Sequence, residues 1–121
     1  MGAQQGNALR NGIFSQDQAE RGAEAYGQHC SACHANDLLG NATSPPLAGM
    51  GFLFLWEGRP LAELFEQIRR NMPTNAPASL PEQEYADILA YLLARNGFPA
   101  GGQTLTPLLL SQAELTINAP N

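Results

Sequence analysis

The chain has few basic residues, few β-branched ones, no long apolar run and no cysteine beyond a single pair, and each shortage closes off a class of protein. Six Lys and Arg residues against eleven Asp and Glu leave a formal charge of −5 over 121 residues. That balance argues against a nucleic-acid surface and fits basic or mixed-charge partners. The scarcity of β-branched residues, beside twelve glycines and nine prolines, points away from a sheet and toward short helices joined by long ordered loops. The longest apolar run, Met50 to Trp56, is broken by glycine and falls far short of the about 20 residues needed to cross a bilayer. The first residues, Met1-Gly2-Ala3-Gln4-Gln5-Gly6, lack the basic and apolar regions of a secretory leader, and Gly6 fails the myristoylation pattern. No internal repeat or low-complexity segment is present, and the length suits one domain with one core.

The two cysteines stand in Cys30-Ser31-Ala32-Cys33-His34, and C-x-x-C-H is the attachment signature of a covalently bound c-type haem. Two thioethers need two thiols a helical turn apart, and the next residue then offers its imidazole to the iron. Cys30 and Cys33 would hold the porphyrin and His34 would be an axial ligand, giving one covalent haem c. Two other uses of the pair compete. A thioredoxin-like dithiol needs a βαβ context, and a structural zinc site needs four ligands, whereas the only other histidine is His29, beside Cys30. A haem would also supply the apolar burial that a loop-rich domain of this size lacks, at about 25 cal/mol per Å². Bacterial haem attachment follows export, so this reading carries the expectation of a leader already removed and a periplasmic location.

Ser15-Gln16-Asp17-Gln18 has the form of a capping box and should open a helix that runs through Ala19, Ala23 and Tyr26 to deliver Cys30. Gly22, four residues before Tyr26, is either a tolerated surface glycine or the place where another helix crosses closely. From Leu38 to Gly58 the chain is dense in proline and glycine and reads as a loop wrapped around something, with Leu47, Phe52, Phe54 and Trp56 as its apolar side. The alternate spacing from Phe52 to Trp56 also permits a short strand. Leu61, Leu64, Phe65 and Ile68 mark an amphipathic helix opened by Pro60, and Leu80-Pro81 opens another through Tyr85, Ile88, Leu89, Tyr91 and Leu92, ended by Asn96-Gly97. Three domain regions follow: 1–14 as a flexible segment, 15–97 as the folded body, and 98–121 as an extension packed on it.

A haem with one histidine needs a second strong-field ligand to stay six-coordinate. Met72, in a proline-rich loop after a helix, is the first choice, with Met50, His29 or an open site as the others. Arg69 and Arg70 close their helix where cations favour the C-terminal dipole, and either of them could instead pair with a propionate. Trp56 could shield or hydrogen-bond a propionate, or simply pack in the core.

The order of these features, a Gly22/Tyr26 helix, then CSACH, Pro45-Pro46-Leu47-Ala48-Gly49, Met72-Pro73 and YADILAYL, resembles the class I c-type cytochromes. The resemblance implies an all-α class I cytochrome c fold, with three to five short helices and long loops wrapped around one covalent haem. It also implies that the first helix crosses the last near Ile88 and Tyr91, and that the Pro45 carbonyl accepts from His34 Nδ1–H and so fixes its tautomer. The runs LFEQIRRNMP and EYADILAYLLARNGFPAGG are similar to the cytochrome c subunits and domains that accompany bacterial PQQ-dependent alcohol and sugar dehydrogenases. Two departures stand out: Ala35 follows the motif where glycine is common, and Pro81 stands where a Ser or Thr cap is usual.

The implied function is a monomeric, periplasmic one-electron carrier without substrate chemistry of its own. It would take electrons from a quinoprotein dehydrogenase and pass them to an oxidase or another cytochrome. Two alternatives remain: a haem domain excised from a larger quinohaemoprotein dehydrogenase, and a ligand-binding haem sensor or enzyme in which Met72 is labile.

Overall fold

The computed structural model describes residues 8–35, 37–41, 44–73 and 75–118, with the backbone alone described at Ala8, Ala32 and Cys33. Among them the regular structure is helical, with one isolated antiparallel bridge between Pro60 and Thr116. None of the described helices is long and apolar enough to cross a membrane.

Helix α1, Gln16–His29, begins where the sequence predicts. Ser15 holds an extended backbone and its hydroxyl accepts from the Gln18 N–H at 3.0 Å. The second half of the capping box does not form. Gln18 is fully buried, and its amide turns to the tail, where Nε2 donates to the Leu105 carbonyl at 2.7 Å and Oε1 accepts from the Leu105 N–H at 2.9 Å. Two backbone groups of a buried loop need partners, and one amide side chain meets both.

The short helix α2, Ser31–His34, carries the C-x-x-C-H motif, and α3, Gly49–Trp56, follows a long loop. Helix α3 corrects the expectation of a loop or strand there. A strand would put Phe52, Phe54 and Trp56 on one side, but a helix separates them. Phe52 and Trp56, four apart, are both buried, while Phe54 is 88% exposed.

Helix α4, Leu61–Asn71, buries Leu61, Leu64 and Phe65, and α5, Glu82–Arg95, is apolar over most of its length. Pro60 and Pro81 each stand one residue outside their helices, with extended backbones that end the preceding loops. Gly97, at φ +93°, terminates α5 as the sequence predicts.

Gly22 resolves as a close crossing. A Cβ built there would lie 2.6 Å from the Asp87 carbonyl carbon and 2.9 Å from Tyr91 Cβ, so α1 and α5 touch backbone to backbone at this point. One turn on, the Tyr26 and Tyr91 rings meet with centroids 5.4 Å apart. This crossing fixes the direction in which α1 delivers Cys30.

The segment after Gly97 packs onto the body through Phe98, Leu105, Leu110 and Ile117, all buried, and adds α6, Pro107–Gln112. The expectation of a flexible first segment needs correction over its described part. Residues Ala8–Asn11 form a 3-10 turn, Leu9, Ile13 and Phe14 are buried in the main core, and the Phe14 carbonyl accepts from Gly101 N–H at 2.7 Å. Three large apolar side chains within six residues favour burial over solvation. Residues 1–7 lie outside the described part.

Candidate cofactor site

A cavity of about 260 Å³ opens between α1, α3, α4 and α5, some twenty times what a single water needs. Its walls are apolar: Leu47, Leu55, Leu64, Ile68, Ile88 and Leu92 all line it. The residues read from the sequence converge on it. Cys30, His34, Pro45, Trp56 and Met72 line this one space although they span more than forty residues of chain. The Cys33 side chain lies outside the described part; its backbone stands in α2, three residues after Cys30.

His34 is 5% exposed, and its Nδ1 is 3.0 Å from the Pro45 carbonyl oxygen. A carbonyl can only accept, so Nδ1 carries the proton and Nε2 keeps the lone pair that a metal would use. The loop geometry explains how Pro45 comes to lie there. The His34 carbonyl accepts from Gly40 N–H, and Leu47 N–H donates to Leu38 O at 2.7 Å, which folds the loop back over the histidine. Asn96, at the end of α5, clamps the far side by donating to the Leu47 carbonyl and accepting from the Gly49 N–H.

Met72 caps α4 with its N–H on the Ile68 carbonyl and enters a cis peptide bond with Pro73. Its carbonyl accepts from the Tyr85 hydroxyl, which in turn accepts from Leu80 N–H, so α5 holds the methionine backbone in place. Sequence periodicity assigned Tyr85 only to the core, and the position of its hydroxyl has no local signal.

Arg69, read from the sequence as a possible propionate partner, is not among the residues that line this cavity. It bonds both oxygens of Glu66, at 3.2 and 2.8 Å, and lies 3.8 Å from Glu82, and this pairing holds the Glu66 carboxyl below the usual range. A helix-end arginine with two carboxylates on its own side is already neutralised. The cation that does line the cavity is Arg59. Its guanidinium lies 4.0 Å from the Trp56 ring centroid, donates to the Leu55 carbonyl and bonds both oxygens of Glu63. The i, i+3 spacing of Trp56 and Arg59 was the available signal. Of the other ligand candidates, Met50 is 87% exposed, and His29 Nε2 pairs with Glu84 at 3.3 Å.

Tyr26 forms part of the cavity wall and its hydroxyl donates to the Ala35 carbonyl. Burial pushes its phenol above the ordinary range, with Cys30, Tyr91 and Asp37 adding to the shift and Arg95 opposing it. The group therefore stays a donor at any ordinary pH.

Residues 17–92, which include the C-x-x-C-H motif, the Pro45 loop, Met72 and most of α5, match the family model described as cytochrome C oxidase, cbb3-type, subunit III. The chain belongs to that family. It is a cytochrome c domain, and the helical fold without described strands is the one this family predicts. Among solved structures the cytochrome is similar to a chain of the sulfane dehydrogenase SoxCD from Paracoccus pantotrophus, at 25% identity and a TM-score of 0.61. The match covers 91% of this chain and 57% of that one, so the cytochrome spans little more than half of its relative's length. No curated protein matches the sequence.

The cavity fits the haem that such a family binds. A flat apolar group finds apolar walls, an imidazole of fixed tautomer on one element and a thioether on another, with a guanidinium on the wall for acidic substituents.

Proposed function

We propose that the protein is a mono-haem, one-electron carrier in which Cys30 and Cys33 bond one haem c covalently and His34 and Met72 are the axial ligands. The observation that carries this is that His34, with Nδ1 donating to Pro45, lines the same apolar cavity as Met72. When bound, a c-type haem supplies a ferric/ferrous couple, and His/Met ligation raises its potential. The chain's own part is to hold both ligands and keep water out. Pro45 orients the imidazole, Tyr85 fixes the Met72 backbone, and the leucine and isoleucine walls disfavour the extra positive charge of the ferric state. Filling both axial positions leaves no place for oxygen or peroxide, which is why the carrier reading is preferred to a sensor or enzyme.

The test is an optical spectrum of oxidised and reduced protein with acid-acetone extraction. Haem that resists extraction, with the weak long-wavelength Met-to-ferric-iron band, is expected. In Met72→Ala the band should vanish and the ferrous protein should bind CO; an unchanged spectrum would move the sixth ligand elsewhere.

For the wider setting we infer a periplasmic location and a monomer, with a quinoprotein dehydrogenase as donor and an oxidase or cytochrome as acceptor. The support is the similarity of the LFEQIRRNMP and EYADILAYLLARNGFPAGG runs to dehydrogenase-associated cytochromes. Mixing reduced quinoprotein dehydrogenase with ferric protein should reduce the haem faster than it reduces an unrelated cytochrome. A second reading has its own support: the family is named for an oxidase subunit, and the structural relative is one chain of a dehydrogenase, of which the match covers 57%. In that reading the domain passes electrons within a larger oxidoreductase, and co-purification with a catalytic subunit would favour it.

A further inference from the structure

Between Asp37 and Glu57 the chain carries no ionisable side chain, and α3 is the helical part of that stretch. The helix divides its apolar residues between two environments. Phe52 and Trp56 enter the core, whereas Met50 and Phe54, one turn apart on the opposite side, are 87% and 88% exposed. Leu55 belongs to both, being 42% exposed and part of the cavity wall. Single exposed apolar residues are ordinary, but a Met/Phe pair on one turn beside an exposed leucine is a patch without charge on a molecule of net charge −5.

Three observations say what covers it. The first is continuity with the cofactor cavity: Leu55 lines that cavity and joins it to the face, while Met50 and Phe54, absent from the lining, stand across one helix from it, about 10 Å. The second is area. Two large exposed side chains and their neighbours on an eight-residue helix offer only a few hundred Å², well below the about 800 Å² per partner of a stable interface. Short-lived redox encounters occupy the low end of that range. The third is charge. The ions nearest the face, Arg59 on the Leu55 carbonyl and its partner Glu63, pair with each other, so the face itself asks for no further ion pairing and its complement is apolar as well.

We propose that Met50, Phe54 and Leu55 form the docking face for a transient redox-protein partner whose own electron-transfer face is apolar and uncharged. This rests on the carrier reading above. In the encounter one electron leaves the reduced cytochrome for the oxidised metal centre of the partner, and no bond forms or breaks.

The test uses the haem-loaded protein and two oxidants: azurin, a small blue-copper protein with an uncharged apolar face over its metal, and hexacyanoferrate(III), a small ion that needs no protein face. Met50→Ser and Phe54→Ser alter exposed side chains outside the cavity wall, and an unchanged optical spectrum and melting temperature will show that both fold. Each substitution should slow Cu(II) reduction by about fivefold or more and leave hexacyanoferrate reduction unchanged. The azurin rate of the unsubstituted protein should change less than about twofold between about 20 and 500 mM salt. Equal azurin rates in all forms, or a steep salt dependence, would overturn the docking face while leaving the carrier reading intact. Two further outcomes overturn it in favour of another occupant: a dimer at equilibrium that Phe54→Ser dissociates, or sedimentation with phosphatidylcholine vesicles that Phe54→Ser abolishes. Failure of both oxidants in every form would overturn the carrier reading and this face together.

Discussion

The Tyr26 hydroxyl donates to the Ala35 carbonyl at 2.6 Å, tying the residue after the histidine back to α1. The bond spans the whole C-x-x-C-H turn, so it fixes where His34 can stand. Because burial raises the Tyr26 pKa above its unfolded value near 10, the folded protein holds this proton where the unfolded chain has lost it. The contribution is complete below pH 10 and is lost as the pH climbs from there through the folded value. Denaturation curves should therefore show stability falling above pH 10, and Tyr26→Phe should flatten that fall while lowering stability at neutral pH by about 1 kcal/mol.

Ala35 itself sits at φ +72°, ψ 159°, a region that only glycine occupies without strain. The departure from the family's usual glycine is therefore a backbone penalty in the folded state. Ala35→Gly should stabilise the protein by about 1 kcal/mol, the relief of strain exceeding glycine's larger entropy loss. A melting temperature raised by about 4 °C, with an unchanged optical spectrum, is the expected result.

Tyr85 acts on Met72 through its backbone. Tyr85→Phe removes the bond to the Met72 carbonyl and the acceptor of Leu80 N–H and leaves the apolar ring in place. Under the proposed ligation the thioether should leave the iron more often, and CO should bind the ferrous protein about tenfold faster, the factor that follows from losing about 1.4 kcal/mol. A rate equal to that of the unsubstituted protein would show that the hydroxyl does not position Met72.

Arg59 places positive charge on the cavity wall, and Glu63 partly cancels it. Positive charge disfavours the ferric state, so Arg59→Gln should lower the reduction potential and Glu63→Gln should raise it. Each shift should be on the order of tens of millivolts, read by spectroelectrochemical titration. Shifts of the same sign would refute the argument.

What the sequence made legible was whatever chemistry fixes over a short span. C-x-x-C-H has its spacing dictated by two thioethers and one ligand, and Ser15 reads as a cap because its target N–H is three residues away. Gln18 was misread for the opposite reason: its partner, Leu105, is 87 residues distant and competes with the nearby capping role. The choice between Arg69 and Arg59 turned on which face of the fold each reaches, and a helix-dipole argument carries no information about that. Helix α3 was hidden because glycine at 49 and 51 suggests a loop, while its real determinant is the i, i+4 burial of Phe52 and Trp56.

The turn that carries Arg59 is held by the far end of the chain. Gly58 N–H donates to the Ile117 carbonyl, Ile117 N–H to the Arg59 carbonyl, and Leu61 N–H to the Leu115 carbonyl. Residues 115–117 lie more than fifty residues beyond that turn, so the wall that Arg59 contributes to the cavity is latched by a long-range contact, and loosening the tail loosens that wall.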